Sequence, residues 1–359
     1  MKRPYLVHFI AIESDSHIHV RSSLSMKESR ALALLSDRDL TKFSPTAPLE
    51  SLGLLGSQEF VIRILGFDTE RNVVFRKDYE SDSLGSFDIK FIRSINQVKI
   101  SHLEVYEVRT SPGIEYHLGS FIPLKISTPK KIVISDFDKT LVDTRYSTLK
   151  EVFYSLRKPL AYFPSIGDSI DLFKSYIDLG FQPFIVTASP HFYENAIRDW
   201  LYSNNIFTAE IFLKDYRKLF SLFEEDLTSR DIKSQVFYKL NHIVNIILMT
   251  GVPEELILIG DGFESDTLIY LTIASLLNDK IDPWNVWNKL NKAQSFKLNT
   301  KQVSRFLSKF YQLETLKNQK DYQCPKIKIH IRCKDIHKLP EIKLDFLNRH
   351  YHLVNFYQA

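Results

Sequence analysis

The sequence predicts an α/β protein in which a doubly wound parallel sheet follows a β-rich, sandwich-like module. Three observations carry that expectation. Residues 132–135 (Ile-Val-Ile-Ser) form a short apolar run that ends in Asp136-Phe137-Asp138-Lys139-Thr140. Such a run, closed by carboxylates, marks a buried parallel strand delivering a loop to the sheet edge. From Lys130 onward, similar runs alternate with segments of helical period, as a doubly wound sheet requires. Before Pro129 the chain instead shows short strand-like runs broken by turn signals.

Within residues 1–128, strands are expected over Tyr5–Ile12, Glu59–Phe67, Val73–Lys77, Phe87–Ile92, Val98–Arg109 and Tyr116–Ile126. Asp68-Thr69-Glu70-Arg71-Asn72 and Asp82-Ser83-Leu84-Gly85 supply turns, because these residues bend the chain or bond their own backbone. Only Met26–Leu35 has helical period here, and Pro129 marks the junction.

The second unit, residues 129–285, carries strand signals over Lys130–Ser135, Phe184–Thr187, Glu210–Leu213 and Leu256–Gly260. Helices are expected between them. Ile170–Leu179 ends at Gly180, His191–Ser203 is entered through Ser189-Pro190, Phe237–Met249 stops at Gly251, and Thr267–Leu277 follows. Residues 286–359 form a basic extension with helices over Asn288–Lys292 and Thr300–Leu316. Lys326–Cys333 then alternates polar and apolar side chains, the period of a half-buried strand.

Composition bounds the function. Apolar residues make up 44% and charged residues 25% of the 359, which places the chain among globular proteins and excludes disordered or fibrous classes. The net charge is +4, and from Lys317 to Ala359 nine Lys/Arg stand against four Asp/Glu. That tail suits an anionic surface or a solvated sheet face, and no nucleic-acid partner is expected. The first residues read as an opening strand rather than a leader, since His8 and Glu13 interrupt the apolar run. No stretch of about 18 apolar residues exists, so no spanning helix is expected. Cys324 and Cys333 lack metal-ligand spacing and read as reduced thiols. The expected location is cytoplasmic, with membrane contact peripheral.

Four segments supply groups for phosphoryl transfer. Asp136 can attack phosphorus, and Asp138 can protonate the leaving oxygen and then activate water. The hydroxyls of Thr187 and Ser189, in Val186-Thr187-Ala188-Ser189, can donate to phosphoryl oxygens, as can Thr140. A lysine from the Phe237–Met249 helix region can hold phosphate, and Lys239 is favoured over Lys214 and Lys233 by its spacing to Asp261. Gly260-Asp261-Gly262-Phe263-Glu264-Ser265-Asp266 presents two more carboxylates. Mg²⁺ takes a few carboxylates plus water and phosphate oxygens, so Asp136, the backbone carbonyl of Asp138, and Asp261 form an expected metal set. Each aspartate has a plainer alternative as a strand-end or helix cap, and Lys139 is expected to face solvent.

In their order, Asp-x-Asp-x-Thr, strand-terminal Thr, Lys and Gly-Asp-x-x-x-x-Asp resemble the motif set of the haloacid dehalogenase (HAD) superfamily. Thr187-Ala188-Ser189-Pro190, Phe212-Leu213-Lys214-Asp215-Tyr216, Lys239 with Ile243 and Ile246, and Leu258 to Asp266 with Ile269-Tyr270 narrow it. Over roughly residues 130–275 they resemble the actin-patch-associated phosphatidate phosphatase catalytic domain. The resemblance implies a HAD-like Rossmannoid sheet with a small cap and hydrolysis of a phosphomonoester through an aspartyl-phosphate. It implies Asp136 as nucleophile, Asp138 as acid/base, Thr187 and Lys239 on phosphate, and Asp261 on Mg²⁺. Asp266 would support the metal or orient Lys239. The family's Asp-Ile-Asp-Asp-Thr is here Asp-Phe-Asp-Lys-Thr, and its Ser-Gly-Glu-Gln is Gly-Phe-Glu-Ser, departures that bear on the substrate.

The spans from Asp143 to Gly167 and from Ser189 to Lys239 leave no room for a large cap. An open site suits a bulky or membrane-presented phosphate such as phosphatidate. A soluble phosphomonoester or a phosphoprotein is the alternative substrate. The rival function is a non-catalytic scaffold that docks a partner or an anionic bilayer.

Overall fold

The computed structural model describes residues 2–14, 17–28, 58–92, 99–144, 158–207, 209–214, 230–262, 265–292, 300–319, 322–333 and 344–358. The N-terminal module contains β1 (Lys2–Glu13), β2 (His17–Glu28), β3 (Val61–Phe67), β4 (Val73–Glu80), β5 (Ser86–Ile92), β6 (His102–Glu107), β7 (Tyr116–Phe121) and β8 (Leu124–Lys125). They form two four-stranded sheets, ordered β5-β2-β1-β8 and β4-β3-β6-β7. Alternate residues of both sheets, among them Ile18, Val20, Leu24, Ile62, Ile64, Leu103 and Val105, share one apolar core. A sandwich arises this way, because each sheet buries only the side chains of one face.

Two expectations for this module change. Met26–Glu28 are not helical but close β2, where Pro4 pairs with Met26 and Lys2 with Glu28; residues 29–35 lie outside the described residues. Tertiary pairing overrides a weak helical period there. The strand expected over Tyr116–Ile126 is split into β7 and β8, and Pro123, which has no N–H for a ladder, falls in the gap.

The second unit contains β9 (Lys131–Ser135), α1 (Gly167–Asp178), β10 (Gln182–Pro190), α2 (Glu194–Ser203), β11 (Glu210–Lys214), α3 (Arg230–Thr250), β12 (Glu255–Asp261) and α4 (Asp266–Asn278). The chain continues through α5 (Pro283–Lys292), α6 (Thr300–Lys317), β13 (Lys326–Arg332), α7 (Asp345–Asn348) and β14 (Val354–Tyr357). The six strands lie in the order β11-β10-β9-β12-β13-β14, and every pair is parallel. β9 to β11 step one way and β12 to β14 step the other, so the switch in direction falls between β9 and β12. The residues after 285 therefore supply two strands to this sheet, and β13 alternates exposed Lys326 and Lys328 with buried Ile327, Ile329 and Ile331.

Helices cover both faces. Ile132, Ile134, Leu256 and Leu258 pack with residues of α3, α4, α5 and α6. Val133, Ile185, Ile257 and Ile259 face Phe173 of α1 and Ile197, Trp200 and Leu201 of α2. Buried on both faces, these strands read as continuous apolar runs. No helix among the described residues is long and apolar enough to cross a membrane. The cap expectation falls largely on residues 145–157 and 215–229, outside the described residues.

β1 joins the two units. Ala11 faces the sandwich core, while Ile10 and Ile12 join the core of the parallel sheet. At the same seam His8 Nδ1 lies 2.6 Å from Glu194 Oε2, and Arg198 donates to Glu194 Oε1 from Nε at 3.0 Å and Nη2 at 2.9 Å. Burial alone would raise the Glu194 pKa, but His8 and Arg198 hold it down to about 2. His17, on β2, is held down to about 4 by burial and by the nearby Lys90, His19 and Lys130.

These two groups give the protein a signed acid sensitivity. Each has a folded pKa below its ordinary value, so the unfolded chain takes up protons first and acid favours unfolding. Stability is expected to fall from about pH 6.5 toward 4 through His17, and from about 4.5 toward 2 through Glu194. A pH series of melting temperatures on wild type and His17→Gln checks this. The variant should lose the upper part of the slope and keep the lower; identical slopes would contradict it.

Candidate active site

The carboxyl ends of β9 and β12 meet at the topological switch, where open α/β sheets form ligand crevices. The Asp136 backbone N donates to Ile259 O at 2.9 Å, which fixes the first carboxylate beside the neighbouring strand. The loop then folds tightly, with Lys139 N to Val142 O at 2.7 Å and Leu141 N to Phe137 O at 2.9 Å. Phe137, between the two aspartates, points away into the core and meets Trp200 edge-on at 5.1 Å. Alternation at the end of β9 thus sends Phe137 to the core side and Asp136 to the other.

Asp136, Asp261 and Asp266 are buried, and one carboxylate oxygen from each lies within 4.8 Å of the other two. Lys239, on α3, places its Nζ 3.0 Å from Asp136 Oδ1 and 2.7 Å from Asp266 Oδ1. Thr140 Oγ1 donates to Asp136 Oδ2 at 3.1 Å, and the Asp261 N–H donates to Asp266 Oδ2 at 3.2 Å. Three carboxylates so close repel one another unless a cation stands among them. Oxygen-only donors of this kind fit a hard divalent ion.

Asp138 is turned elsewhere. Its Oδ1 accepts from Thr144 Oγ1 at 3.0 Å, and its Oδ2 accepts from Thr187 Oγ1 and Ser189 Oγ, both at 2.9 Å. The Asp138 carboxylate is therefore separate from the three-carboxylate cluster. Thr187 and Ser189, expected to face phosphoryl oxygens, both address Asp138 in this structure. Ser189 does not cap a helix either. β10 runs through Pro190, a 3₁₀ turn covers His191–Tyr193, and α2 begins only at Glu194.

Of the three lysines weighed, Lys239 reaches the cluster. Lys214 is buried at the end of β11 with its Nζ 5.9 Å from the Tyr238 ring, and the Lys233 side chain lies outside the described residues. Lys139, expected to face solvent, is half-buried with φ of 61°. Its carbonyl accepts from Arg332 Nη1 at 2.8 Å. A residue other than glycine in the left-handed region is held there by its surroundings, and Arg332 on β13 is one such restraint. Phe263 and Glu264 lie outside the described residues.

Sequence reasoning gave no role to Thr144, Arg332 or Tyr270, although Ile269-Tyr270 stands among the motifs that carry the family resemblance. Tyr270 donates its hydroxyl to Ile259 O at 2.9 Å beneath the cluster. Burial, and then Asp266 and Asp136, push that phenol well above its ordinary pKa, so it stays protonated as a donor. Thr144 lies six residues after its acceptor Asp138 in the same loop, whereas nothing local marks Arg332, which reaches the Lys139 carbonyl only through the fold.

Gly260 shows how tightly the cluster is built. A Cβ there would stand 2.5 Å from Asp266 Oδ2 and 2.8 Å from both Asp266 Cβ and Tyr270 Cε2. Gly260→Ala is expected to destabilise the protein by about 1–3 kcal/mol, because the carboxylate or the ring must move. Urea unfolding measures this, and an unchanged midpoint would show that the wall yields freely.

No curated protein matches the chain. Among solved structures, a glycosyl hydrolase family 2 member from Bacteroides cellulosilyticus aligns at 9% identity and a TM-score of 0.26, over 98% of this chain and 39% of its own. A Parabacteroides merdae β-glucuronidase aligns at 10% identity and a TM-score of 0.25, over 93% of this chain and 35% of its own. The chain thus spans about two-fifths of those structures or less, and such TM-scores establish no common fold. The family comparison is of another kind, because its matched residues include every member of the cluster just described. Residues 131–284 match the family of the phosphatidate phosphatase APP1 catalytic domain.

Proposed function

We propose that this chain is a metal-dependent phosphomonoester hydrolase of the HAD type, working through an aspartyl-phosphate on Asp136. One observation carries the reading: Asp136, Lys239, Asp261 and Asp266, spread over 131 positions of sequence, converge at the switch point of a parallel sheet. A structural role would need no such gathering of buried charge, which is costly unless it serves a ligand or a reaction.

In this reading an Asp136 carboxylate oxygen attacks phosphorus as the ester P–O bond breaks. Asp138, entering as the acid, gives its proton to the departing alkoxide oxygen. Now a carboxylate, Asp138 takes a proton from the water that attacks the phosphoryl group, releasing phosphate and restoring Asp136. The three hydroxyls of Thr144, Thr187 and Ser189 keep Asp138 in one orientation through both steps. With the Thr187 and Ser189 hydroxyl protons given to Asp138 and that of Thr140 to Asp136, Lys239 supplies the cation that holds the phosphoryl oxygens. Asp136, Asp261 and Asp266, joined by the Asp138 backbone carbonyl, would hold Mg²⁺. When bound, the ion offsets the repulsion between an anionic nucleophile and a dianionic phosphate.

Phosphatidate is the proposed substrate, on the family match and on the expectation of a small cap. Phosphate release from phosphatidate in mixed micelles, against glucose 6-phosphate, tests it in Mg²⁺ and in EDTA. Strong preference for the micelles and loss of activity in EDTA are expected. Preference for the sugar would transfer the mechanism to a soluble phosphomonoester. Activity that ignores EDTA would sink the metal assignment.

A further inference from the structure

β13 and β14 lie beyond residue 284, where the family match ends, yet they bring one side chain to the catalytic loop. Arg332 is the last residue of β13 and is half-buried. It stands in register with Asp261 of β12 on one side and with Tyr357 of β14 on the other. Its carbonyl accepts from the Gly262 N–H at 2.8 Å, immediately after Asp261. Its Nη1 donates to the Lys139 carbonyl at 2.8 Å, immediately after Asp138. One residue thus braces both turns that carry the carboxylates.

The guanidinium is not needed to hold β13 itself. Ladders run along both sides of the strand, and Ile327, Ile329 and Ile331 anchor it in the core. Just past its end the Cys333 N–H donates to Tyr357 O at 2.8 Å. Lys139, by contrast, needs holding. Its φ of 61° lies in the left-handed region, which disfavours a lysine unless its neighbours fix it there. Two bonds pin the peptide planes on either side of that residue. The Lys139 N–H donates to Val142 O at 2.7 Å and sets the plane before it, whereas Arg332 sets the plane after it. The second plane leads directly to Thr140, whose buried hydroxyl donates to Asp136 Oδ2 at 3.1 Å. A bond from an ionised donor is among the stronger hydrogen bonds, so it suits this task.

We infer that Arg332 is a positioning residue for the proposed reaction. By fixing the Lys139 carbonyl it keeps Thr140 against Asp136, and so holds the attacking carboxylate in one orientation. With Lys239 Nζ 3.0 Å from Oδ1 and the Thr140 hydroxyl on Oδ2, that carboxylate is held at both oxygens. Releasing Thr140 loosens one end and lets the group turn away from the line of attack. A misplacement of about 1 Å, even from a change far from the chemistry, can cost about 10²-fold in rate. Arg332 acts in this way through Thr140 and needs no contact with substrate.

The inference rests on the phosphatase reading and deepens it, and the experiment keeps the two apart. Phosphate release from phosphatidate micelles gives kcat and KM for wild type, Asp136→Asn, Arg332→Met, Thr140→Val and the variant that combines Arg332→Met with Thr140→Val. A melt of each sample checks folding. Arg332→Met is expected to lower kcat about 10- to 10²-fold and to leave KM within about threefold. In the Thr140→Val background the same substitution should cost about threefold or less, because the hydroxyl it positions is already gone. Arg332→Lys keeps a charged donor and should fall between wild type and Arg332→Met; it carries the same cycle if the methionine variant does not fold. An unchanged kcat for Arg332→Met beside an inactive Asp136→Asn would overturn the inference and leave the phosphatase reading standing. So would a loss confined to KM, the mark of a direct substrate contact, or losses that simply multiply in the combined variant. A wild type no faster than Asp136→Asn would remove the phosphatase reading, and this inference with it.

Discussion

Asp136→Asn is expected to leave the protein folded and to slow phosphate release by at least about 10⁴-fold, the scale of losing a covalent nucleophile. The amide has the shape of the carboxylate, so Thr140 Oγ1 and Lys239 Nζ, at 3.1 and 3.0 Å, keep a polar neighbour. What disappears is the lone pair and charge that attack phosphorus. The substitution also removes one of three crowded carboxylates, so the melting temperature in EDTA should hold or rise. Steady-state release from phosphatidate micelles, with a melt of the same sample, separates chemistry from folding. Equal rates for wild type and variant would end the enzyme reading and leave the docking scaffold as the better account.

Lys239→Met is expected to cost about 3–5 kcal/mol of stability in EDTA, because it leaves buried Asp136 and Asp266 facing each other without the ammonium. The side chain is only 4% exposed, and its two partners are 1% and 0% exposed, so solvent offers little screening. Methionine keeps most of the volume, which confines the effect to charge and hydrogen bonds. Mg²⁺ should restore part of the loss, since a divalent ion can neutralise the same carboxylates. A ligand that binds only the native state, at 100 times its dissociation constant, contributes about 2.7 kcal/mol. Urea unfolding with and without Mg²⁺ reads both effects. A variant as stable as wild type in EDTA would show that Lys239 does not balance the cluster.

How much of the site could be read in the chain depends on how local each group is. Asp136 and Asp138 sit at the end of an apolar run, and a parallel strand must deliver its terminal residues to the sheet edge. Asp261 is marked in the same way by Leu256–Gly260. Lys239 is different, because three lysines have defensible spacing and only the packing of α3 puts one Nζ against Asp136. Ser189 went the other way. Its place before Pro190 suggests a helix cap, but β10 continues through both residues and turns the hydroxyl onto Asp138. β2 is absent from the expected strands although Ile18, Val20, Leu24 and Met26 keep one phase, because Ser22 falls in that phase and interrupts the apolar alternation. Its place between β1 and β5 comes from partners far along the chain.

The sequence by itself determined the α/β alternation, the ends of β9 and β12 and the identities of the carboxylates, because period and terminal residues are local properties of a chain. Tertiary structure alone decided that β13 and β14 complete the sheet, and that Arg332 steadies the Lys139 carbonyl from 193 residues away. It also decided that Asp138 is gripped by three hydroxyls while Asp136 and Asp266 share one lysine. Those are relations between surfaces that meet only after folding, and charge crowded into a buried crevice is tolerated only where such relations hold it.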